Sequence, residues 1–223
     1  MRYLAPLLFG LVGVGILASL GFWQVDRLAW KEAALAEISA RMTDVPVPVP
    51  TTPDPATDTY LAVTARGTIG TDFVRVLVSQ KTRGAGYRII SPLVLQDGRI
   101  ILLDRGFETV AAGPAPVHST PVAITGNLHW PDEIDSFTPE PDEAANIWFA
   151  RDVPMLAQRL GTEPVLLIAR TLSVDDTPVS PLPVDTSGIP NDHLGYAVTW
   201  FGLALVWFGM TAFLLWRMAR RAV

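Results

Sequence analysis

The strongest constraint on this chain is an uncharged apolar run near its end. From Ala197 to Trp216 the sequence contains no Asp, Glu, Lys, Arg or His. A run of about 20 apolar residues can cross the hydrocarbon core of a bilayer as a helix. A second uncharged run, rich in Leu, Val, Gly and Ala, extends from Leu4 to Phe22. The two runs predict a transmembrane helix at each end, and we expect the first to be an uncleaved anchor rather than a signal peptide.

The charges around these runs predict an orientation. All 22 Asp and Glu residues and 13 of the 17 Lys and Arg residues lie between the runs, whereas Arg2, Arg217, Arg220 and Arg221 lie outside. Basic flanks remain on the cytoplasmic side of a membrane. We therefore expect cytoplasmic termini in a bacterial inner membrane with a periplasmic middle domain, or the equivalent arrangement in a mitochondrial inner membrane. An acidic exported domain argues against nucleic-acid binding, which requires a basic surface.

Proline-rich stretches divide the part between the spans. Residues 43–58 contain Val-Pro-Val-Pro-Val-Pro, and residues 175–190 contain four prolines. Proline at this density excludes a continuous helix and predicts extended linkers. We predict five segments, namely an N-terminal transmembrane helix with an extramembrane extension (1–42), a linker (43–58), an exported domain (59–174), a second linker (175–190), and a C-terminal transmembrane helix with a basic tail (191–223).

The exported domain is predicted to be mostly β. Short runs rich in Val, Ile, Thr and Leu alternate with turn residues, and Asp97-Gly98 joins two of them as a hairpin. The predicted strands cover 60–69, 73–80, 87–95, 99–107, 121–130, 147–151 and 164–172. A short helix is expected at 153–160, ended by Gly161. The fold class is thus a two-helix transmembrane hairpin flanking a mostly antiparallel, barrel- or sandwich-like β domain.

The start of the last span contains a candidate metal ligand. Pro190-Asn191-Asp192 is typical of a helix start, with Asn191 or Asp192 as the side-chain cap. His193 then lies in the first turn, where the helix dipole favours a neutral imidazole with a free ring nitrogen. Tyr196 and Trp200 share its helix face. The local pattern by itself favours an interfacial histidine in an aromatic belt, with an axial ligand beside aromatic rings as the alternative.

The end of the first span is a second candidate. Trp23, Arg27 and Trp30 share one helix face, with Lys31 beside it. They fit either an ordinary interfacial belt or a cationic clamp for the carboxylates of an amphipathic ligand. The clamp requires Arg27 to face His193 in space.

Other polar residues favour structural roles. We interpret Asp104-Arg105 as an ion pair ordering a strand end, with a partner surface as the alternative, and His118 and His129 as ordinary domain residues. The sequence contains no Gly-x-Ser-x-Gly, no His-Glu-x-x-His and no cysteine, so we predict that it is not an enzyme.

Several short motifs in a fixed order resemble the Surfeit locus protein 1 family of cytochrome c oxidase assembly factors. The motifs are Leu20-Gly21-Phe22-Trp23-Gln24 with Arg27 and Trp30-Lys31, Gly86-Tyr87 with Ser91-Pro92, Asp104-Arg105-Gly106, Gly126-Asn127-Leu128, Asn146-Ile147-Trp148-Phe149, and Pro190-Asn191-Asp192-His193-Leu194-Gly195-Tyr196-Ala197 with Thr199-Trp200. The chain departs from the family at Phe107, where tryptophan is usual, and at Asp192, where asparagine is common.

The resemblance implies a specific function. It implies an assembly factor that binds haem a at the outer membrane surface and assists its insertion into subunit I of a haem-copper oxidase. Haem a synthase and other assembly factors are further implied partners, beside the lipid bilayer. His193 is the implied iron ligand, with Tyr196, Trp200 and Trp23 beside the haem and Arg27 or Lys31 pairing with a propionate. The alternative is a cofactor-free membrane scaffold that holds oxidase subunits or other assembly factors.

Overall fold

The computed structural model describes residues 3–112, 115–118, 121–186 and 189–220. Arg2 and Arg221, two of the residues that predict the orientation, lie outside these ranges. The elements follow one another as α1 (Leu4–Thr43), β1 (Val47–Pro48), α2 (Pro55–Asp58), β2 (Ala62–Ile69), β3 (Val74–Gln80), β4 (Gly84–Leu95), β5 (Ile100–Thr109), β6 (Val122–Leu128), β7 (Ile147–Trp148), α3 (Val153–Leu160), β8 (Leu166–Leu172) and α4 (His193–Arg220). They form two compact units, Met1–Glu37 with Thr186–Val223, and Ile38–Asp185.

The first unit contains the two apolar helices. Both α1 and α4 are long and apolar enough to cross a membrane. Their large apolar side chains are mostly exposed, which excludes the buried core helices of a soluble domain. Because a continuous apolar surface of this size is unfavourable in water, the exposure indicates helices that are solvated by lipid. Both predicted spans are therefore found as helices, and the first continues well beyond its apolar run.

Small residues bring these two helices together. Gly13 of α1 lies against the Trp207 indole, and Gly21 lies against the Phe201 ring. A Cβ atom added at Gly13 would lie 2.2 Å from Trp207 Nε1. Close backbone approach at small residues is the usual basis of helix pairing in lipid. Because contacts further along α1 involve earlier residues of α4, the two helices are antiparallel, as the hairpin prediction requires.

The second unit is built on one mixed sheet. Its strand order is β1-β2-β6-β8-β5-β4-β3-β7, with an additional pairing of β2 with β4. Most neighbours are antiparallel, whereas β1–β2, β3–β7 and β5–β8 are parallel. The mostly β prediction is confirmed, but the sheet is mixed and is not a clear barrel. The long connection between β5 and β8, which contains β6, β7 and α3, permits their parallel pairing.

Two apolar clusters stabilise this unit. One lies among β2, β4, β5, β6 and β8, and the other lies under α3. The short helix is found where the sequence predicts it. The Asp152 carboxylate accepts a hydrogen bond from the Met155 N–H group at its start, and Gly161 ends it in the left-handed conformation. The Asp97-Gly98 hairpin is also found, with the Leu95 N–H donating to the Arg99 carbonyl at 2.8 Å.

The proline-rich segments make specific contacts with the sheet. In residues 43–58, β1 pairs with β2, and α2 adds one helical turn that is capped by Asp54. In residues 175–190, Ser180 and Phe107 exchange two backbone hydrogen bonds of 2.8 and 2.9 Å. Proline prevents a long helix in both segments, but their free carbonyl and N–H groups still pair with strands. The expectation of uninterrupted extended chain is thus wrong for Pro55–Asp58.

Candidate functional site

His193 is the first residue of α4, and it contacts α1. Its Nδ1 atom lies 2.7 Å from Oε1 of Gln24, whose side chain is buried. An amide oxygen accepts hydrogen bonds, so Nδ1 must carry the proton and donate. The lone pair of the neutral ring is then on Nε2. The contact turns the imidazole toward the first helix and leaves one ring nitrogen with the chemistry of a metal ligand.

The start of α4 differs from the predicted cap. Asn191 Oδ1 is buried and makes no hydrogen bond, so this side chain does not cap the helix. The Asp192 carbonyl accepts the Tyr196 N–H at 3.1 Å, which is the first hydrogen bond of the helix. Of the two predicted caps, Asn191 is therefore wrong, and capping by the Asp192 side chain stays a prediction.

The aromatic candidates of α4 follow His193 at helical spacing. Trp200 is half-buried and Tyr196 is exposed. At three and seven residues beyond His193, both project on its side of the helix. Ala197, which lies between Tyr196 and Trp200 in the chain, is buried, and its small side chain lets this stretch of α4 pack closely. The structure therefore places these rings on the helix turns that follow His193.

The cationic candidates of α1 follow Gln24 in the same way. Arg27 and Lys31 lie three and seven residues beyond Gln24 and share its helix face. The Arg27 guanidinium stacks on the Trp30 ring, 3.9 Å from its centroid. Trp23 is exposed on the adjoining face. Pairing of Arg27 or Lys31 with a carboxylate ligand stays a prediction.

Gln24 is the site residue that sequence reasoning missed. It belongs to the motif Leu20-Gly21-Phe22-Trp23-Gln24, which by itself predicts no role for the amide. A signal was present, because Gln24 is the first hydrogen-bonding amide after the long apolar run of the first span. Its partner lies 169 residues further along the chain, so no local pattern identifies the contact.

Asp104 and Arg105 do not pair with each other, contrary to the sequence interpretation. Opposite β4, Gly106 pairs with Ile89 and Asp104 with Ile90, so Arg105 is an extra residue in β5. Such a bulge changes the direction of successive side chains. Asp104 pairs with Arg88 at 2.6 Å, and Arg105 forms a bidentate pair with Asp176.

Burial and neighbouring arginines shift the pKa of two carboxyl groups in the sheet domain, those of Asp104 and Glu133. Burial raises the pKa of Asp104, and the positive charges of Arg88 and Arg151 only partly offset this effect. Burial also opposes ionisation of Glu133, but hydrogen bonds from Arg151 lower its pKa on balance. Both groups belong to the sheet domain, where they serve as internal electrostatic contacts.

The two other histidines also belong to the sheet domain. His118 Nε2 lies 2.6 Å from Asp176 Oδ1, next to the Arg105 pair. His129 stacks on Tyr60 with 5.0 Å between ring centroids. Burial and the nearby Arg151 charge lower the pKa of His129 to about 4. These contacts support the structural roles predicted for both residues.

Another motif residue, Asn127, has a structural role. Its amide nitrogen donates to the Met42 and Tyr60 carbonyls, each at 3.0 Å, and its oxygen accepts from Arg170 at 2.8 Å. Every polar atom of this buried side chain is thus used. Among the described residues, no group of three or more His, Cys, Asp and Glu side chains is arranged to hold a metal ion.

Comparison with known proteins identifies the family. The model of the SURF1 family matches residues 11–205, which is most of the chain. The chain belongs to the SURF1 family. Surfeit locus protein 1 of Xenopus tropicalis is 30% identical over 177 residues, covering 68% of this chain and 57% of the relative.

Two other relatives of the SURF1 family give similar values. A SURF1-like protein of Monosiga brevicollis is 31% identical over 170 residues, covering 67% of this chain and 64% of the relative. Surfeit locus protein 1 of Homo sapiens is 30% identical over 177 residues, covering 67% and 58%. The chain therefore spans less than two thirds of the length of these curated relatives.

Proposed function

We propose that this SURF1-family protein is a membrane-anchored assembly factor for a haem-copper terminal oxidase. In this proposal it binds haem a at the outer membrane surface and assists insertion of the haem into oxidase subunit I. It acts as a carrier and not as an enzyme, and haem a synthase and other assembly factors are its further partners. Family membership and the contact between His193 and Gln24 support the proposal.

The chemistry of His193 fits a haem ligand. Imidazole nitrogen is a common axial ligand to haem iron. The Nδ1–H of His193 is used by Gln24, so Nε2 is the nitrogen with a lone pair for iron. A carrier must also release its cargo, and one axial histidine at the boundary of the membrane is easier to displace than a fully enclosed ligand set.

The arrangement of polar and aromatic residues is the observation that favours haem a most strongly. Because the helices are antiparallel, residues that follow Gln24 in α1 and residues that follow His193 in α4 extend in opposite directions from the contact. Arg27 and Lys31 lie on one side of it, and Tyr196 and Trp200 lie on the other. Seven helical residues span about 10 Å, which matches the dimensions of a macrocycle.

This polarity fits the two ends of an amphipathic haem. The propionates of haem a are anions that favour the membrane interface near cations, where Arg27 or Lys31 would pair with them. The isoprenoid tail favours lipid, beside Tyr196, Trp200 and the apolar surface of the spans. Trp23 completes the aromatic boundary on α1. In this orientation the cations face the exported side, which is the periplasm of a bacterial inner membrane or the equivalent side of a mitochondrial inner membrane.

The test is purification of the full chain from cells that make haem a. Wild-type protein is expected to retain haem, measured by absorbance and pyridine haemochrome, whereas His193→Ala is expected to lose most of it. His129→Phe, in the sheet domain, is the matched histidine control and should retain wild-type haem. Equal haem content and iron ligation in wild type and His193→Ala would remove the ligand role, and absence of haem from all three proteins would leave the cofactor-free scaffold.

A further inference from the structure

Gln24 occupies an unusual position for a side-chain amide. It is 8% exposed, at the end of the apolar run of α1. A buried amide without partners is costly, more so at the edge of lipid. Its oxygen meets His193 Nδ1 at 2.7 Å, a short hydrogen bond for a neutral pair. The contact therefore gives the buried amide oxygen of Gln24 a hydrogen-bond partner.

The contact selects one tautomer of His193. A neutral imidazole has its proton on either Nδ1 or Nε2. A nitrogen that faces a hydrogen-bond acceptor must carry the proton, and the other nitrogen then has the lone pair. The Gln24 oxygen holds the proton on Nδ1. Metal-binding histidines commonly donate their second N–H to a fixed acceptor in this way, which orients the ring and raises its basicity as a ligand.

We infer that Gln24 is a positioning residue that holds the His193 ring against α1 with its proton on Nδ1 and its Nε2 lone pair free for a ligand. The assignment of that ligand as haem iron rests on the proposed function. The tautomer itself does not, because it is a property of the protein alone. An amide is a weaker acceptor than the carboxylate found beside many metal-binding histidines.

The first experiment is therefore made on protein without haem. The chain contains only three histidines, so the full-length protein in detergent can be labelled with ¹⁵N-histidine and His193 assigned by its loss in His193→Gln. We expect the ring signals of wild-type His193 to show a protonated Nδ1 and an unprotonated Nε2. Gln24→Leu removes the acceptor at similar volume and should shift the population toward the Nε2–H tautomer. Gln96→Leu, the same substitution in the exposed hairpin turn of the sheet domain, should leave the His193 signals unchanged.

The second experiment measures the ligand in haem-loaded protein. Gln24→Leu should lower the iron–imidazole stretching frequency and release haem to an acceptor such as apomyoglobin about 10-fold faster or more. Gln24→Glu supplies a stronger acceptor and should raise the frequency and slow the release. Because the two variants are expected to shift the frequency and the release rate in opposite directions, a folding defect common to both does not explain the result.

The two experiments separate this inference from the proposed function. An Nε2–H tautomer in wild type, or His193 signals that are the same in Gln24→Leu, overturns the positioning role even if haem binds. If the His193 signals are as expected but the haem content does not depend on His193, the positioning role is supported and the role of His193 as haem ligand is overturned. Equal stretching frequencies and release rates in all Gln24 variants show that the amide does not act on a bound iron.

Discussion

At the scale of single residues, His129 makes the stability of the sheet domain depend on pH. Its ring stacks on Tyr60, and its Nδ1 atom is buried without a hydrogen-bond partner. Burial, together with the charge of Arg151, lowers its pKa from 6.5 to about 4. Between these two values the unfolded chain binds a proton that the folded domain does not bind. Stability is therefore fully present above about pH 6.5 and is lost as the pH falls toward 4.

We predict that His129→Phe reduces this acid sensitivity. Phenylalanine keeps the stack on Tyr60 and takes up no proton, so the variant should lose less stability than wild type between pH 7.5 and pH 5. The measurement is urea-induced unfolding of the full-length protein in detergent, followed by tryptophan fluorescence at both pH values. Comparison at pH 7.5 controls for any packing change, and parallel losses in the two proteins would contradict the assignment of the effect to His129.

At the scale of elements, the pairing of α1 and α4 depends on where small residues lie. Gly13 is covered by the Trp207 indole, whereas nothing lies within 4 Å of the position that a Cβ atom would take at Gly15. The two glycines are in the same helix and the same apolar run. Alanine raises intrinsic helix propensity equally at both. A difference between the two substitutions therefore reports the contact with α4.

We predict that Gly13→Ala destabilises the helical unit by about 1 to 3 kcal/mol relative to Gly15→Ala, which is the usual cost of overpacking a close contact. The reason is that the added methyl group displaces a large, flat indole and separates the helices. Thermal unfolding in detergent, followed by near-ultraviolet circular dichroism of the tryptophans, should show a lower midpoint for Gly13→Ala alone. A midpoint equal to that of Gly15→Ala would mean that the helices are not closely packed there.

At the scale of the whole molecule, the distribution of charge predicts an orientation in the membrane. All acidic residues lie between the two apolar runs, and the described end of α4 carries Arg217 and Arg220. Basic residues that flank a span are retained on the cytoplasmic side. The proposed carrier function depends on this orientation, because it sets the side of the membrane on which His193 lies.

Because the chain has no cysteine, single cysteines can report this orientation directly. We predict that a membrane-impermeant maleimide labels Glu140→Cys, in the exposed acidic loop of the sheet domain, once the outer envelope is opened. Ala219→Cys, near the end of α4, should react only after the inner membrane is made permeable. The reverse labelling pattern would place the sheet domain in the cytoplasm.

Much of the architecture is predictable because it depends on local patterns. Uncharged runs of sufficient length predict the spans, short runs rich in Val, Ile, Thr and Leu between turn residues predict most strands, and Asp97-Gly98 and Gly161 mark a turn and a helix end. The parallel pairing of β5 with β8 was not predicted. It depends on how distant strands meet, and the two strands look like any other buried strands in sequence.

The amino-acid sequence by itself determined the two apolar helices, their basic flanks, the β-rich domain between them and the order of motifs that places the chain in its family, because each depends on composition and short spacings. Only the tertiary structure decided which residues meet. Gln24 lies 169 residues from His193, and Arg105 lies 71 from Asp176. The bulge that sends Asp104 and Arg105 to different partners depends on the register between β4 and β5. Such contacts depend on how distant segments pack. The residues next to each partner in the chain do not indicate which distant residue it meets.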